Sequence, residues 1–246
     1  MKRVLRIAAP ALAGLLVVAH VEAATVIGGS TLLDSAQANQ LESWLGEGAL
    51  TLTNIYTKAT GDNSSDFHAA VDGMGRTFVV LSAADDGITR TVGGYNPNSW
   101  DASLSDYWFT PIPADRTAFI FNLTDGIRHA QRTTLLFGVD VGITTTYNHP
   151  DVGPAFGSGF DLGFNSTSLD FVGYSFLHSY SPNEAAHGTS IVSGLAYDGT
   201  NMQVGALEVF TLDVALIPEP QTYAMLLAGL GLLGLTARRK KRLPAA

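Results

Sequence analysis

Three groups of side chains in this sequence have the chemistry for a reactive site: one carboxylate on a β-like run, five histidines, and carboxylates beside aromatics on two long loops. Glu208 is the sharpest case. Val204, Ala206, Phe210, Leu212, Val214 and Leu216 share its parity, so an unbroken strand over Met202–Leu216 sets Glu208 on an apolar face. A carboxylate there needs donors or its pKa climbs, which makes it a candidate acid or base. A bulge near Val209-Phe210 would instead turn Leu207 and Val209 inward and release Glu208 to solvent. The histidines beyond residue 23 are His68, His129, His149, His178 and His187, and no two stand four apart as in a helical zinc site. His68, beside Phe67, reads as a packed or capping ring; His149-Pro150-Asp151 reads as a turn. There is no Cys, which removes thiol catalysis, Cys-ligated metals and redox switching. No Gly-x-Ser-x-Gly elbow or Walker A loop is present, and Asp85-Asp86-Gly87 is a turn rather than a calcium loop. No catalytic, metal or cofactor site is expected, and weak cation binding by acidic loops is the only ion chemistry left.

The elements that must carry these residues are mostly strands. Thr31 to Leu45 has the best helical spacing (Leu33, Ala38, Leu41, Trp44, Leu45), with Thr31 and Asp34 as a capping-box-like start and Gly46 and Gly48 as the stop. Strands are expected over Thr51–Thr57, Thr77–Ser82 and Ile88–Tyr95, the last two joined by an Asp86-Gly87 turn. Further β-rich runs cover Ala118–Leu123, Thr134–Val139, Leu169–Phe176 and Met202–Leu216. Ser65–Val71 spans one or two helical turns, and Tyr95–Asp106 is a loop carrying Trp100. Many short strands behind one strong helix predict a mainly β (α+β) domain.

The two ends are of another kind. Lys2, Arg3 and Arg6, an apolar stretch from Ile7 to Ala19 and a small-residue site ending at Ala23-Ala24 read as a secretory signal over residues 1–23. The other end carries Pro218-Glu219-Pro220, an uncharged run from Tyr223 to Ala237, and Arg238-Arg239-Lys240-Lys241-Arg242. At roughly 1.5 Å per residue that run reaches about 22 Å, short of a bilayer core of roughly 30 Å. The basic cluster extends its reach by snorkelling and holds it on the cytoplasmic side, so everything before Pro218 lies outside the cytoplasm. The three parts in this order resemble the PEP-CTERM sorting tail of Gram-negative bacteria. That resemblance implies passage through the export machinery, transient anchoring in the inner membrane by the C-terminal helix over 218–246, and removal of the tail by an exosortase at the cell surface.

Between the ends, residues 24–217 hold 6 Lys+Arg against 20 Asp+Glu, a balance of −14. Such a body repels phosphate backbones and anionic lipid, so no nucleic-acid partner is expected.

Phe67-His68, Asp72-Gly73-Met74-Gly75, the Asp86-Gly87 turn, Gly93-Gly94-Tyr95 and Trp100 form an ordered series. It continues through Ala118-Phe119-Ile120-Phe121, Gly153-Pro154-Ala155-Phe156-Gly157-Ser158-Gly159 and Glu208-Val209-Phe210. The series resembles the TLD (TLDc) domain shared by eukaryotic oxidation-resistance proteins. The resemblance implies an antiparallel β-sandwich with short flanking helices and no established catalytic centre. Family members protect against oxidative stress and some bind the vacuolar proton pump, a partner an exported bacterial protein does not meet. Physically, Gly73, Gly75, Gly93 and Gly94 read as turn or close-approach positions. Phe67, Tyr95, Trp100, Phe119, Phe121 and Phe210 read as core.

Two functions compete at this level. One is a non-catalytic module displayed at the cell surface or in the extracellular matrix, binding polysaccharide or a surface protein through its loops. The other is an extracellular hydrolase built on the loops Tyr95–Asp115 and Tyr147–Asp161. Oxidant protection rests on family analogy alone.

Overall fold

Asp34 and Gly46 bracket the first helix of a computed structural model that describes residues 23–170, 172–198, 201–215, 226–231 and 233. Helix α1 runs Ser35–Leu45. The Asp34 side chain accepts from the Gln37 amide at 2.8 Å while Gln37 Oε1 accepts from the Asp34 amide at 2.9 Å, a reciprocal cap at the N-terminus. Gly46 ends it at φ 71°, its amide donating to the Glu42 carbonyl. The expected start at Thr31 is therefore four residues early, because Ser30 and Thr31 are engaged elsewhere. Helix α2, Ser64–Val71, has the same kind of cap from Asn63 and Asp66.

The strands are β1 Thr25–Ile27, β2 Ala49–Thr57, β3 Thr77–Asp85, β4 Ile88–Asn96, β5 Asp106–Phe109, β6 Phe119–Asn122 and β7 Ile127–Ala130, then β8 Thr144–Asn148, β9 Ala155–Phe156, β10 Leu162–Gly163 and β11 Gln203–Ala215. Seven form one open sheet in the order β1-β2-β11-β3-β4-β6-β7, and four form another, β10-β9-β8-β5. Every pairing is antiparallel except β1 with β2. The last strand thus inserts at the middle of the large sheet, between the second and the third.

Two apolar layers flank that sheet. On one face Tyr56, Val79, Leu81, Val92, Ile120, Leu207 and Val209 pack with Phe67 of α2, Trp100 and Phe156 of the small sheet. On the other, Leu50, Leu52, Phe78, Val80, Phe121 and Phe210 pack under Ala38 and Leu41 of α1. Covering on both faces explains why Phe78-Val79-Val80-Leu81 is an unbroken buried run rather than an alternating one. The arrangement is a mainly β, sandwich-like fold with short flanking helices.

Two expected strands are absent. Over Thr134–Val139 the chain turns tightly: Leu136 and Val139 exchange backbone hydrogen bonds around Phe137 (φ 48°) and Gly138 (φ 81°). The alternating apolar residues have no partner strand, and Leu135, Phe137 and Val139 face solvent. Over Leu169–Phe176 the described residues make isolated bridges only, Gly173 to Met202 and Tyr174 to Gly163. Periodicity proposed a strand in each place, and tertiary pairing did not supply a ladder.

Candidate functional site

Glu208 lies on β11 between two irregularities. Gly205 is an extra residue opposite β3, and Ile55 an extra residue of β2 opposite the Val209–Phe210 step. The first flips the parity, so Val204, Leu207 and Val209 share one core while Phe210 enters the other. Glu208 points to the α1 side and is 1% exposed. It is not released to solvent, as a bulge at Val209-Phe210 was expected to do, because the approach to α1 covers that face as well. The Thr31 amide and hydroxyl each donate to Glu208 Oε1 at 2.8 Å. Ser30 Oγ donates to Oε2. In turn Ser30 Oγ accepts from the Leu32 and Leu33 amides, at 3.1 and 2.8 Å. Both carboxylate oxygens are satisfied, and the chain ahead of α1 is clamped onto the central strand. This is a clasp, and its donors are why helix α1 cannot begin at Thr31.

His68 is equally committed. Its Nε2 lies 3.0 Å from the carbonyls of both His149 and Val152, and its Nδ1 lies 2.7 Å from Asp72 Oδ1. Asp72 Oδ2 accepts from the Ala102 amide at 2.8 Å, and the Gly73 amide donates to the Trp100 carbonyl. One imidazole and one carboxylate thereby tie α2 to two loops. Phe67 and Phe156 meet Trp100 edge-on, and the Trp100 indole N–H donates to Thr77 Oγ1 at 2.9 Å. Tyr95 packs on Phe78 and Phe119. A Cβ on Gly93 would collide with the Val79 carbonyl and the Phe121 ring, and one on Gly94 would sit 2.5 Å from Phe156. Gly73, Gly75 and Gly159 occupy positive-φ turns.

Asp161, which the sequence placed only at the end of the Tyr147–Asp161 loop, is a buried carboxyl group. It is fully buried and accepts from three consecutive amides, His178 (2.5 Å), Ser179 (3.0 Å) and Tyr180 (2.8 Å). Gly157 has room only because it lacks a Cβ, which would strike this carboxylate. Burial pushes the carboxyl up to about 7 against the pull of those amides. Buried Arg116 is bidentate to the partly exposed Asp140 at 2.8 and 2.7 Å, with its remaining N–H groups on the carbonyls of Thr110, Pro111 and Arg132.

His178 Nδ1 and His187 Nε2 are 3.0 Å apart with ring centroids at 5.2 Å. At that separation one ring nitrogen donates and the other accepts. They form an N–H···N bond. His149 stacks on Tyr147 and accepts from the Asp151 amide in its turn. Among the described residues no group of three His, Asp or Glu could hold a metal.

The unengaged polar chemistry lies elsewhere. A surface groove of about 440 Å³ opens beyond the end of β4, lined by Asn98, Trp108, Phe109, Pro111, Ile112 and Asp115 among others. Asp115 is exposed at the end of a short 3-10 turn, Pro113–Asp115. Sequence reading placed loops here without singling out Trp108. The signal available was the run Asp106-Tyr-Trp-Phe ahead of two prolines.

Few residues of the chain's two ends are among those described. Ala24 donates its amide to Asn39 Oδ1 at 2.8 Å, just before β1. The rest of the expected signal, the motif Pro218-Glu219-Pro220 and the cluster Arg238 to Arg242 lie outside the described residues. Residues 226–231 are helical, with Leu226, Leu227 and Leu230 exposed. Among the described residues no helix is long and apolar enough to cross a membrane. No curated protein matches the chain. Residues 216–241 match the PEP-CTERM protein-sorting motif, which supports secretion and processing along the exosortase route of Gram-negative bacteria. The match lies wholly in the tail and says nothing of the body.

Proposed function

We propose that this protein is an exported, non-catalytic binding module of the cell surface or extracellular matrix. In this reading residues 1–23 are removed on export, residues 24–217 form a TLD-like sandwich, and residues 218–246 are a handle discarded by an exosortase. The observation that carries the reading is the contrast between its tail and its titratable groups. The tail matches a sorting motif. Glu208, His68, Asp72, Asp161 and Arg116 are all held in bonds that tie separate segments of the chain together, and among the described residues no free nucleophile–base pair stands beside a cavity. Fold-level likeness to oxidation-resistance proteins does not by itself carry their function. Intact-mass analysis of the native protein from the exporting cell, with fractionation, tests the route. A mass beginning at Ala24 and lacking Arg238 to Arg242 is expected; a full-length mass retaining that cluster would leave a plain anchored protein. Equal peroxide survival of a deletion strain and its parent is expected, and that result removes oxidant protection.

A further inference from the structure

The chain has three tryptophans, and two are accounted for by packing. Trp100 is fully buried with its N–H engaged, and Trp44 packs on Phe121. Trp108 is different. Among the described residues no ring stacks on it, and no hydrogen bond engages its indole N–H, the Asp115 carboxylate or the Asn98 side-chain amide, all on the same groove. Phe109 and Ile112 on that groove are 48% and 59% exposed. Apolar surface is therefore presented to solvent at Trp108 and Ile112, with the Phe109 ring set beside Tyr107 at 6.0 Å, and it is edged by one free donor, one free carboxylate and one free amide.

That combination matches the surface of a sugar ring, which carries C–H groups on its face and hydroxyls around its rim. Charge decides which sugars. Asp115 is the one ionisable group lining the groove. Lys58, Arg76, Arg90 and Arg116 are paired with Asp170, Glu47, Asp125 and Asp140. Arg128 donates to the Trp44 carbonyl and lies over Phe119, and Arg132 is bound by the carbonyls of Ser181, Thr134 and Leu135. Among the described residues no cation is left to receive uronate or phosphate, and the body's balance of −14 repels both. A volume of about 440 Å³ falls in the range of small-ligand sites.

We propose that the groove around Trp108 binds an uncharged polysaccharide. Trp108 supplies the stacking surface with Ile112 beside it, and Asp115 and Asn98 take the hydroxyls of the ring that covers them. This rests on the display reading above and names the class of its polymer.

The test uses the processed protein isolated from the exporting cell. Electrophoresis through gels containing a β-glucan, a galactomannan or polygalacturonate is run beside tryptophan fluorescence titrations with the matching oligosaccharides. Retardation by a neutral polymer with a change in emission is expected, with none by polygalacturonate. Trp108→Ala should weaken binding about tenfold, the size of an aromatic anchor's loss. Asp115→Asn should weaken it by a smaller factor without altering the melting temperature, which keeps the test open if Trp108→Ala folds poorly. The proposal is overturned if no neutral polymer retards the protein, if both variants bind as the native protein does, or if only phospholipid vesicles or polygalacturonate are bound. Release of new reducing ends would overturn the non-catalytic reading while leaving the groove in place. A correctly processed surface protein that binds no neutral polymer overturns the groove alone.

Discussion

Trp100 and Trp108 are eight residues apart and stand in opposite circumstances. Trp100 is enclosed by Phe67 and Phe156 with its N–H satisfied by Thr77. Trp108 borders a groove with its N–H free and no ring beside it. The same division runs through the charged residues. Glu208, Asp161 and Arg116 are buried and fully hydrogen-bonded, whereas Asp115 is exposed and unengaged. Burial with satisfied polar atoms marks the groups that hold this fold, and exposure with unsatisfied ones marks the surface left for a partner.

The largest expected effect is on the Trp100 side. Trp100→Ala should destabilise by roughly 3–5 kcal/mol, the usual loss for a buried aromatic, read as a lowered denaturation midpoint. Gly93→Ala comes next, at roughly 1–3 kcal/mol for a forced backbone shift; a melting temperature equal to the parent's would mean that β3 and β4 do not approach as closely as described. Glu208→Ala should cost about 1–3 kcal/mol, leaving the Ser30 and Thr31 donors without a partner, and should raise amide exchange over residues 28–33 before it affects β11.

Asp161 predicts a pH dependence of definite sign. Its folded carboxyl holds a proton up to about 7, against 3.8 in the ordinary case. Between those values the unfolded chain has released a proton that the folded one keeps, so this group's contribution makes folding less favourable as pH rises from about 4 to about 7, and is constant above. Asp161→Asn should remove that slope from chemical denaturation measured across the window. A slope of the same size in the variant assigns the dependence to other groups. The smallest effect falls on the groove: Trp108→Ala, at a half-buried side chain, should cost about 1 kcal/mol. A loss as large as that of Trp100→Ala would erase the distinction between the two tryptophans.

Much of the fold was legible beforehand where signals were local. The stop at Gly46, the Asp86-Gly87 hairpin and the β-rich runs expected over Thr77–Ser82 and Met202–Leu216 depend on turn chemistry and on burial of whole strands, whereas the cap was expected at Thr31 and is made by Asp34. Strands β5, β7, β8, β9 and β10, two to five residues long, were not, because so short a segment is defined by its neighbours and not by its own pattern. Thr134–Val139 errs in the other direction, having the pattern and lacking the neighbour. For Glu208, parity correctly raised a buried carboxylate. Only the packing of Ser30 and Thr31 over β11 showed that it is clamped rather than reactive.

By itself, then, the sequence determined the route and the composition of this protein. Its tail carries a sorting motif legible as a linear pattern, and its lack of Cys and its acidity hold in any conformation. Tertiary structure alone decided which polar groups are free. Whether a carboxylate is a clasp or a contact depends on the donors brought to it from positions far along the chain: 177 residues away for Glu208 and Thr31, and none for Asp115. Hydrogen bonding is short-ranged in space and indifferent to separation in sequence, so no reading of neighbours could have told the two apart.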